Sequence, residues 1–196
     1  MYHYYMFHKP FGCVTARRDS LYPTVMDYFK ELNNENLSPV GRLDRETEGL
    51  LLITDDGKWN QMMTHPDNHK EKTYEFIAMG ILNDEKISRL ERGILLNGSN
   101  IPTAPAKITI TGESILADVL PALPPEIQAA SGHNRPDHPI VMGRITITEG
   151  RKRQIRRIMK SAGCLVLYLK RLSIDTIVLD ENLKPGEWKE IEVSLF

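Results

Sequence analysis

Cysteine is nearly absent from this chain: Cys13 and Cys164 are the only two among 196 residues. Two thiols so far apart supply neither a disulfide framework nor a multi-cysteine zinc site, so reduced and unreactive cysteines are expected. Long apolar runs are missing too. None approaches the ~20 residues that a membrane span needs, and the first nine residues are too aromatic and polar to read as a secretory leader. The expectation is a cytoplasmic protein. There is no internal repeat and no low-complexity tail, which excludes solenoids and arrays. Excess positive charge is lacking as well, because the formal net charge is −1, and a domain that is basic throughout is excluded. A chain of this length buries roughly 70% of the surface its unfolded form exposes. One globular unit, or two small lobes sharing a sheet, follows from that.

Acids are also missing from one long stretch. Residues 150–174 contain none, while Arg151, Lys152, Arg153, Arg156, Arg157, Lys160, Lys170 and Arg171 fall within it. A neutral body with one local basic face is the pattern of a phosphate-binding surface, although a solvated helix face has the same composition.

Short β-branched and aromatic runs separated by turn residues predict strands at 4–9, 50–54, 73–79, 106–111, 144–148, 165–169, 174–179 and 188–193. Helical spacing predicts helices at 58–64, 84–92 and 153–162. In the last of these Ile155, Ile158, Met159 and Ala162 form one apolar stripe, and Gly163 stands where a left-handed C-terminal cap belongs. Between Gly112 and Gly143 the composition turns to Pro, Ala, His and Asn. That region predicts an excursion inserted into the sheet, partly ordered at 115–120 and looser at 131–138. The class expected from periodicity is therefore a strand-rich mixture of strands and helices.

The most informative segment is Val40-Gly41-Arg42-Leu43-Asp44-Arg45-Glu46-Thr47-Glu48-Gly49-Leu50-Leu51-Leu52-Ile53-Thr54. It sets a charged cluster directly before a strand apolar enough to be buried on both faces, which places the cluster at the mouth of the core. Flanking arginines could keep Asp44 ionised as a nucleophile. The plainer alternative is that Asp44 caps a turn and pairs with a neighbouring arginine.

Gly41-Arg42-Leu43-Asp44 followed by Thr47-Glu48-Gly49-Leu50-Leu51-Leu52 resembles the catalytic motif of the RsuA-type ribosomal RNA pseudouridine synthases. Lys9-Pro10-Phe11-Gly12, Glu71-Lys72-Thr73-Tyr74, Pro105-Ala106, the run from Glu149 to Met159 and Gly186-Glu187-Trp188 follow in that family's order, so the resemblance covers nearly the whole chain. It narrows the strand-rich class to α+β and implies the pseudouridine synthase fold, a long and mostly antiparallel sheet in two lobes with flanking helices and a central cleft. It implies Asp44 as the nucleophile, Tyr74 as the residue stacked on a flipped uracil, and Arg156 as the basic partner of the aspartate. Arg42 is implied to help extrude the nucleotide, with Lys9, Lys72, Arg151, Lys152, Arg153 and Arg157 as further RNA contacts. Ile155 or a residue of 167–172 would complete the pocket. The reaction exchanges an N–C for a C–C glycosidic bond with no change of redox state, so no cofactor and no metal are expected. The expected partner of a monomeric enzyme is ribosomal RNA.

Many members of that family begin with a small S4-type RNA-binding domain. Here Lys9-Pro10 lies almost at the start, so a single catalytic domain over residues 1–196 with a Pro-rich insertion is expected. That feature, the wording of residues 44–48 and the insertion look most like the RluE-like, large-subunit branch, which favours a uridine in 23S rRNA. Residues 54–59, Thr-Asp-Asp-Gly-Lys-Trp, look more like the small-subunit enzymes that act on 16S rRNA. Three other readings compete. His65, Asp67 and His69 have a ligand-like spacing, but Pro66 breaks the helix they would need. Glu46 and Glu48, or Asp55 and Asp56, could be proposed as a hydrolytic carboxylate pair. A ribosome-assembly protein that binds RNA without catalysis would leave Asp44 with no chemical task.

Overall fold

The computed structural model describes residues 1–193, and the chain divides into two compact units: Met1–Lys70 with Lys170–Phe196, and Glu71–Leu169. Among the described residues no helix is long and apolar enough to cross a membrane.

The first unit is built around strand β1 (Tyr4–Lys9), all six residues of which are buried. It lies between β3 (Glu48–Thr54) and β9 (Trp188–Glu190), antiparallel to both. The other edge of β3 takes β2 (Ser38–Val40) along its last three residues and, in parallel, Lys170 and Arg171 of β7 (Leu165–Ile174) at its start. The short β8 (Ile177–Val178) closes against β7.

Both faces of β1 are covered, which explains why it reads as continuously apolar and aromatic. Tyr4 and Met6 pack with Leu50, Leu52, Trp59 and Met63, the last two from helix α1 (Gly57–Thr64). Tyr5 and Phe7 face the opposite way, into an aromatic cluster with Tyr28, Phe29 and Trp188. Tyr28 and Phe29 belong to a 3₁₀ segment, Val25–Leu32. The sequence reading passed over that segment, although Val25, Tyr28, Phe29 and Leu32 have helical spacing and Thr24 and Asp27 mark its start, where the Thr24 amide donates to the Asp27 carboxylate at 2.8 Å.

The second unit carries an antiparallel ladder of β4 (Lys72–Met79), β5 (Lys107–Ile115) and β6 (Pro139–Ile147), with β6 in the middle. Helices α2 (Asp84–Glu91) and α5 (Gln154–Ser161) belong to the same unit. Gly143 has no side chain for a physical reason. A Cβ there would lie 2.5 Å from the Thr109 carbonyl and 2.8 Å from the Phe76 ring.

The α+β class and the mostly antiparallel pairing agree with the sequence, and the helix bounds differ from expectation by one residue or less at each end. The excursion is shorter and more regular than its composition suggests. β5 runs to Ile115 and β6 starts at Pro139, so only 116–138 leave the ladder. They form α3 (Leu116–Val119), a 3₁₀ turn and α4 (Pro125–Ser131), with Leu116, Leu123 and Ile127 buried. The strand expected at 174–179 reduces to the end of β7 and the two residues of β8.

Candidate active site

In the first unit, the loop between β2 and β3 carries Arg42 and Asp44. Gly41 opens it at φ +74°, a left-handed turn that favours glycine. Leu43 then drops into the core, while Arg42 is exposed and Asp44 half-buried. The Thr47 amide donates to the Asp44 carbonyl at 3.0 Å, closing a turn before the strand begins. Within its own unit the Asp44 carboxylate accepts no hydrogen bond among the described residues. A side chain that caps a turn would show such a bond, so the plainer alternative for Asp44 has no support there.

The backbone around Asp44 is fixed from beneath by the segment that follows β1. Thr15 Oγ1 donates to the Leu43 carbonyl at 2.8 Å and accepts from the Leu43 amide at 3.1 Å. The Gly12 amide donates to the Arg45 carbonyl at 2.9 Å. Lys9 Nζ donates to three carbonyls: Thr47 at 2.7 Å, Pro10 at 2.9 Å and Arg45 at 3.3 Å. Lys9 is 0% exposed, and burial pushes its ammonium down to about 8, partly offset by the charges of Glu48, Glu46 and Asp44. The expectation that Lys9 meets RNA is therefore corrected. Its three donors are all engaged inside the protein, and it serves as a clamp on the Asp44 loop.

Arg45 leaves the loop in the other direction, with its guanidinium 4.6 Å from the Tyr22 ring centroid and 5.8 Å from that of Phe11. At the start of β3, Gly49 sits at φ +105°, and a Cβ there would lie 2.2 Å from the Arg171 carbonyl oxygen. Only glycine lets β7 approach so closely. Arg171 is itself buried and donates from Nε to the Leu50 carbonyl at 2.8 Å. It is a structural residue despite lying at the end of the acid-free stretch.

In the second unit, β4 presents Tyr74 on its buried face, opposite Ile145 of β6, with Lys72 half-buried two residues before it. Helix α5 buries Ile155, Ile158 and Met159, as the stripe predicts, and ends at Gly163 with φ +78°. Arg156 lies at the margin of that stripe and donates from Nη1 to the Val166 carbonyl at 3.0 Å.

Residues 149–154 are more structural than their charges suggest. Glu149 accepts from the Ala104 amide at 2.8 Å, the Gln154 side chain at 2.7 Å and Arg151 Nε at 3.1 Å. The Arg151 guanidinium also donates to Ile101 O at 2.8 Å, Pro102 O at 2.6 Å and Ser99 Oγ at 3.2 Å. Arg151 is thus a clamp on residues 99–102, a structural part beside the RNA contact expected of it. Arg157 is tied by Nη2 to the Asn97 carbonyl. Lys152 and Arg153 are exposed, and Arg153 starts the helix at φ +51°.

The competing carboxylates have structural partners. Asp55 accepts from the His3 amide at 2.7 Å, the His3 ring at 2.9 Å and the Asn34 side chain at 2.9 Å. Burial works against its ionisation, but those donors override it and hold the carboxyl down at about 2. Asp56 caps α1 through the Lys58 and Trp59 amides and accepts from the Tyr4 hydroxyl at 2.8 Å. Burial, and next the Asp56 contact, push the Tyr4 phenol up to about 12. His65 caps the turn that follows α1. Among the described residues no group of three His, Cys, Asp or Glu side chains is placed to hold a metal ion.

Sequence reasoning missed Thr15 and gave no role to Gln154, which lies inside the run from Glu149 to Met159. Each holds backbone or side-chain atoms of a neighbouring loop, and no charge or spacing marks Thr15.

The chain is similar to known proteins along most of its length. The family model described as RNA pseudouridylate synthase matches residues 3–161. A protein of Haemophilus influenzae named ribosomal small subunit pseudouridine synthase A is 34% identical over 191 residues, covering 97% of this chain and 71% of the relative. An RNA pseudouridine synthase of Bacillus subtilis, described as uncharacterized, is 36% identical over 190 residues, covering 96% of this chain and 69% of the relative. A solved pseudouridylate synthase superimposes with a TM-score of 0.79 at 33% identity, covering 98% of this chain and 71% of that one.

Proposed function

Because the chain belongs to the RNA pseudouridylate synthase family, and is thus an isomerase acting on RNA, we propose that it modifies a uridine of small-subunit ribosomal RNA with Asp44 as its nucleophile. The observation that carries the substrate reading is the likeness to the Haemophilus small-subunit enzyme across nearly the full chain. It favours the 16S alternative over the 23S substrate that the sequence by itself suggests.

Several properties support Asp44. It follows a buried leucine, its backbone is fixed on both sides, and within its own unit its carboxylate has no structural hydrogen bond. In the proposed reaction Asp44 attacks the nucleotide, the N1–C1′ bond breaks, the uracil rotates and bonds through C5 to C1′, and the bond to Asp44 breaks, which regenerates the carboxylate. The C5 proton leaves to solvent and N1 gains one, so atoms and electrons balance without a co-reactant. The family resemblance gives Arg156 the part of the aspartate's basic partner. Tyr74 stacks on the extruded uracil, and Arg42, exposed two residues before Asp44, supports the flipped nucleotide, whose unstacking costs a few kcal/mol.

The test is release of tritium from bacterial 16S and 23S rRNA transcripts labelled at C5 of uridine, each incubated separately with wild type and with Asp44→Asn. Wild type should release tritium from the 16S transcript, and Asp44→Asn should release none while still binding RNA and melting at the wild-type temperature. Release from the 23S transcript alone would overturn the substrate reading. Release by folded Asp44→Asn would overturn the nucleophile.

A further inference from the structure

We propose that Thr15 is a positioning residue for Asp44, an inference that rests on Asp44 being the nucleophile. Its hydroxyl bonds both backbone groups of one residue, giving to Leu43 O at 2.8 Å and taking from Leu43 N at 3.1 Å. Leu43 is the residue immediately before the nucleophile. With its side chain buried as well, the peptide leading into Asp44 is held at three points.

Thr15 can impose this geometry because it is itself held. The Val14 amide donates to the Pro23 carbonyl at 3.0 Å, and the Val14 carbonyl accepts from the Val25 amide at 2.9 Å. Val14 and Thr24 thereby form a parallel bridge. Thr15 is also 7% exposed, so water has little access to replace its hydroxyl. The anchors on the far side of Asp44 act on other atoms: Gly12 and Lys9 take the Arg45 carbonyl, and Lys9 takes that of Thr47. Thr15 alone among these fixes the chain on the N-terminal side of Asp44.

Removing the Thr15 hydroxyl frees the approach to Asp44 without altering any group expected to meet RNA. The chemical step should suffer and binding should not. Displacing a reacting group by about 1 Å can cost on the order of a hundredfold in rate. Thr15→Val keeps the shape and the methyl group but deletes both hydrogen bonds.

The experiment measures the single-turnover rate constant at saturating enzyme, using whichever C5-tritiated rRNA transcript the wild type modifies. The dissociation constant for the same transcript and a melting curve are measured in parallel. For Thr15→Val the rate constant should fall by roughly tenfold to a hundredfold with the dissociation constant within about twofold of wild type. Thr15→Ser, which restores the hydroxyl, should recover most of the rate. A wild-type rate constant in folded Thr15→Val overturns the proposal. So does a loss confined to RNA affinity, or a failure of serine to rescue.

If Thr15→Val does not fold, comparing Thr15→Ser with Thr15→Cys carries the test. The longer and weaker contacts of a thiol should slow Thr15→Cys below Thr15→Ser, and equal rates overturn the proposal. Asp44→Asn, run alongside, separates the two readings. If it is inactive while Thr15→Val turns over normally, only this inference falls. If it is active, the nucleophile assignment falls and takes the inference with it.

Discussion

Lys9 and Arg151 have the same charges as the lysines and arginines that meet solvent, yet both are held by protein atoms. Each sits among carbonyl oxygens from residues distant in sequence, and in each case most donors are engaged. Lys9→Met retains the length of the side chain and leaves the Thr47 and Pro10 carbonyls without the ammonium, while the Arg45 carbonyl keeps the Gly12 amide. Unsatisfied buried acceptors cost about 1–3 kcal/mol each, with partial relaxation, so a loss of about 3 kcal/mol in denaturant unfolding is expected. A variant as stable as wild type would show that the clamp contributes nothing. Asp55 gives a pH-dependent counterpart. Its folded carboxyl titrates near 2, below its ordinary value, so the stability it contributes is complete above about pH 4 and is lost as pH falls toward 2. The melting temperature of wild type should therefore drop across that window more steeply than that of Asp55→Asn, and parallel curves would contradict the assignment.

At the scale of elements, regular strands and helices were legible because period-2 and period-3.6 patterns reflect which faces are buried, and burial is what stabilises them. The 3₁₀ segment Val25–Leu32 was legible on the same ground, because Val25, Tyr28, Phe29 and Leu32 stand at i, i+3, i+4 and i+7, yet it was not among the elements read from the sequence. The excursion between β5 and β6 was read too loosely, since its proline spacing conceals two short helices seated on buried Leu116, Leu123 and Ile127. Its return strand is tied down as well: the Leu116 amide donates to His138 O and the Ala117 amide to Pro136 O, both at 2.9 Å. Replacing residues 132–135 by a shorter turn should leave the melting temperature within a few degrees of wild type. A deletion of 131–138 removes both bonds and buried Ser131, and should lower it by several degrees more. Equal melting of the two deletions would mean that the return strand bears no structural weight.

For the molecule as a whole, a net charge of −1 conceals a sorted distribution. Arg42, Lys152 and Arg153 are exposed, whereas Lys9 and Arg171 are buried and Arg151 is clamped. RNA affinity should therefore fall with salt, and reversing both Lys152 and Arg153 to Glu should reduce the slope of log affinity against log salt by at least about 2. Arg151→Ala should lower the melting temperature and leave that slope unchanged. A flatter slope in Arg151→Ala, or an unchanged one in the double reversal, would reassign which cations meet phosphate.

The sequence by itself determined the α+β class, the positions of most strands and helices, the family, and the location of Asp44 at the head of a buried strand. Those properties are written in local periodicity and in motifs that neighbouring residues complete. Only the tertiary structure decided which of the basic residues are clamps, why Gly49 must lack a side chain, and that Thr15 holds the peptide before Asp44. Each of these depends on a pair far apart in the chain: Lys9 with Thr47, Arg151 with Ile101, Gly49 with Arg171, Thr15 with Leu43. A lysine has the same letter whether its ammonium meets water or three carbonyls, and only the folded backbone brings those carbonyls within hydrogen-bonding distance.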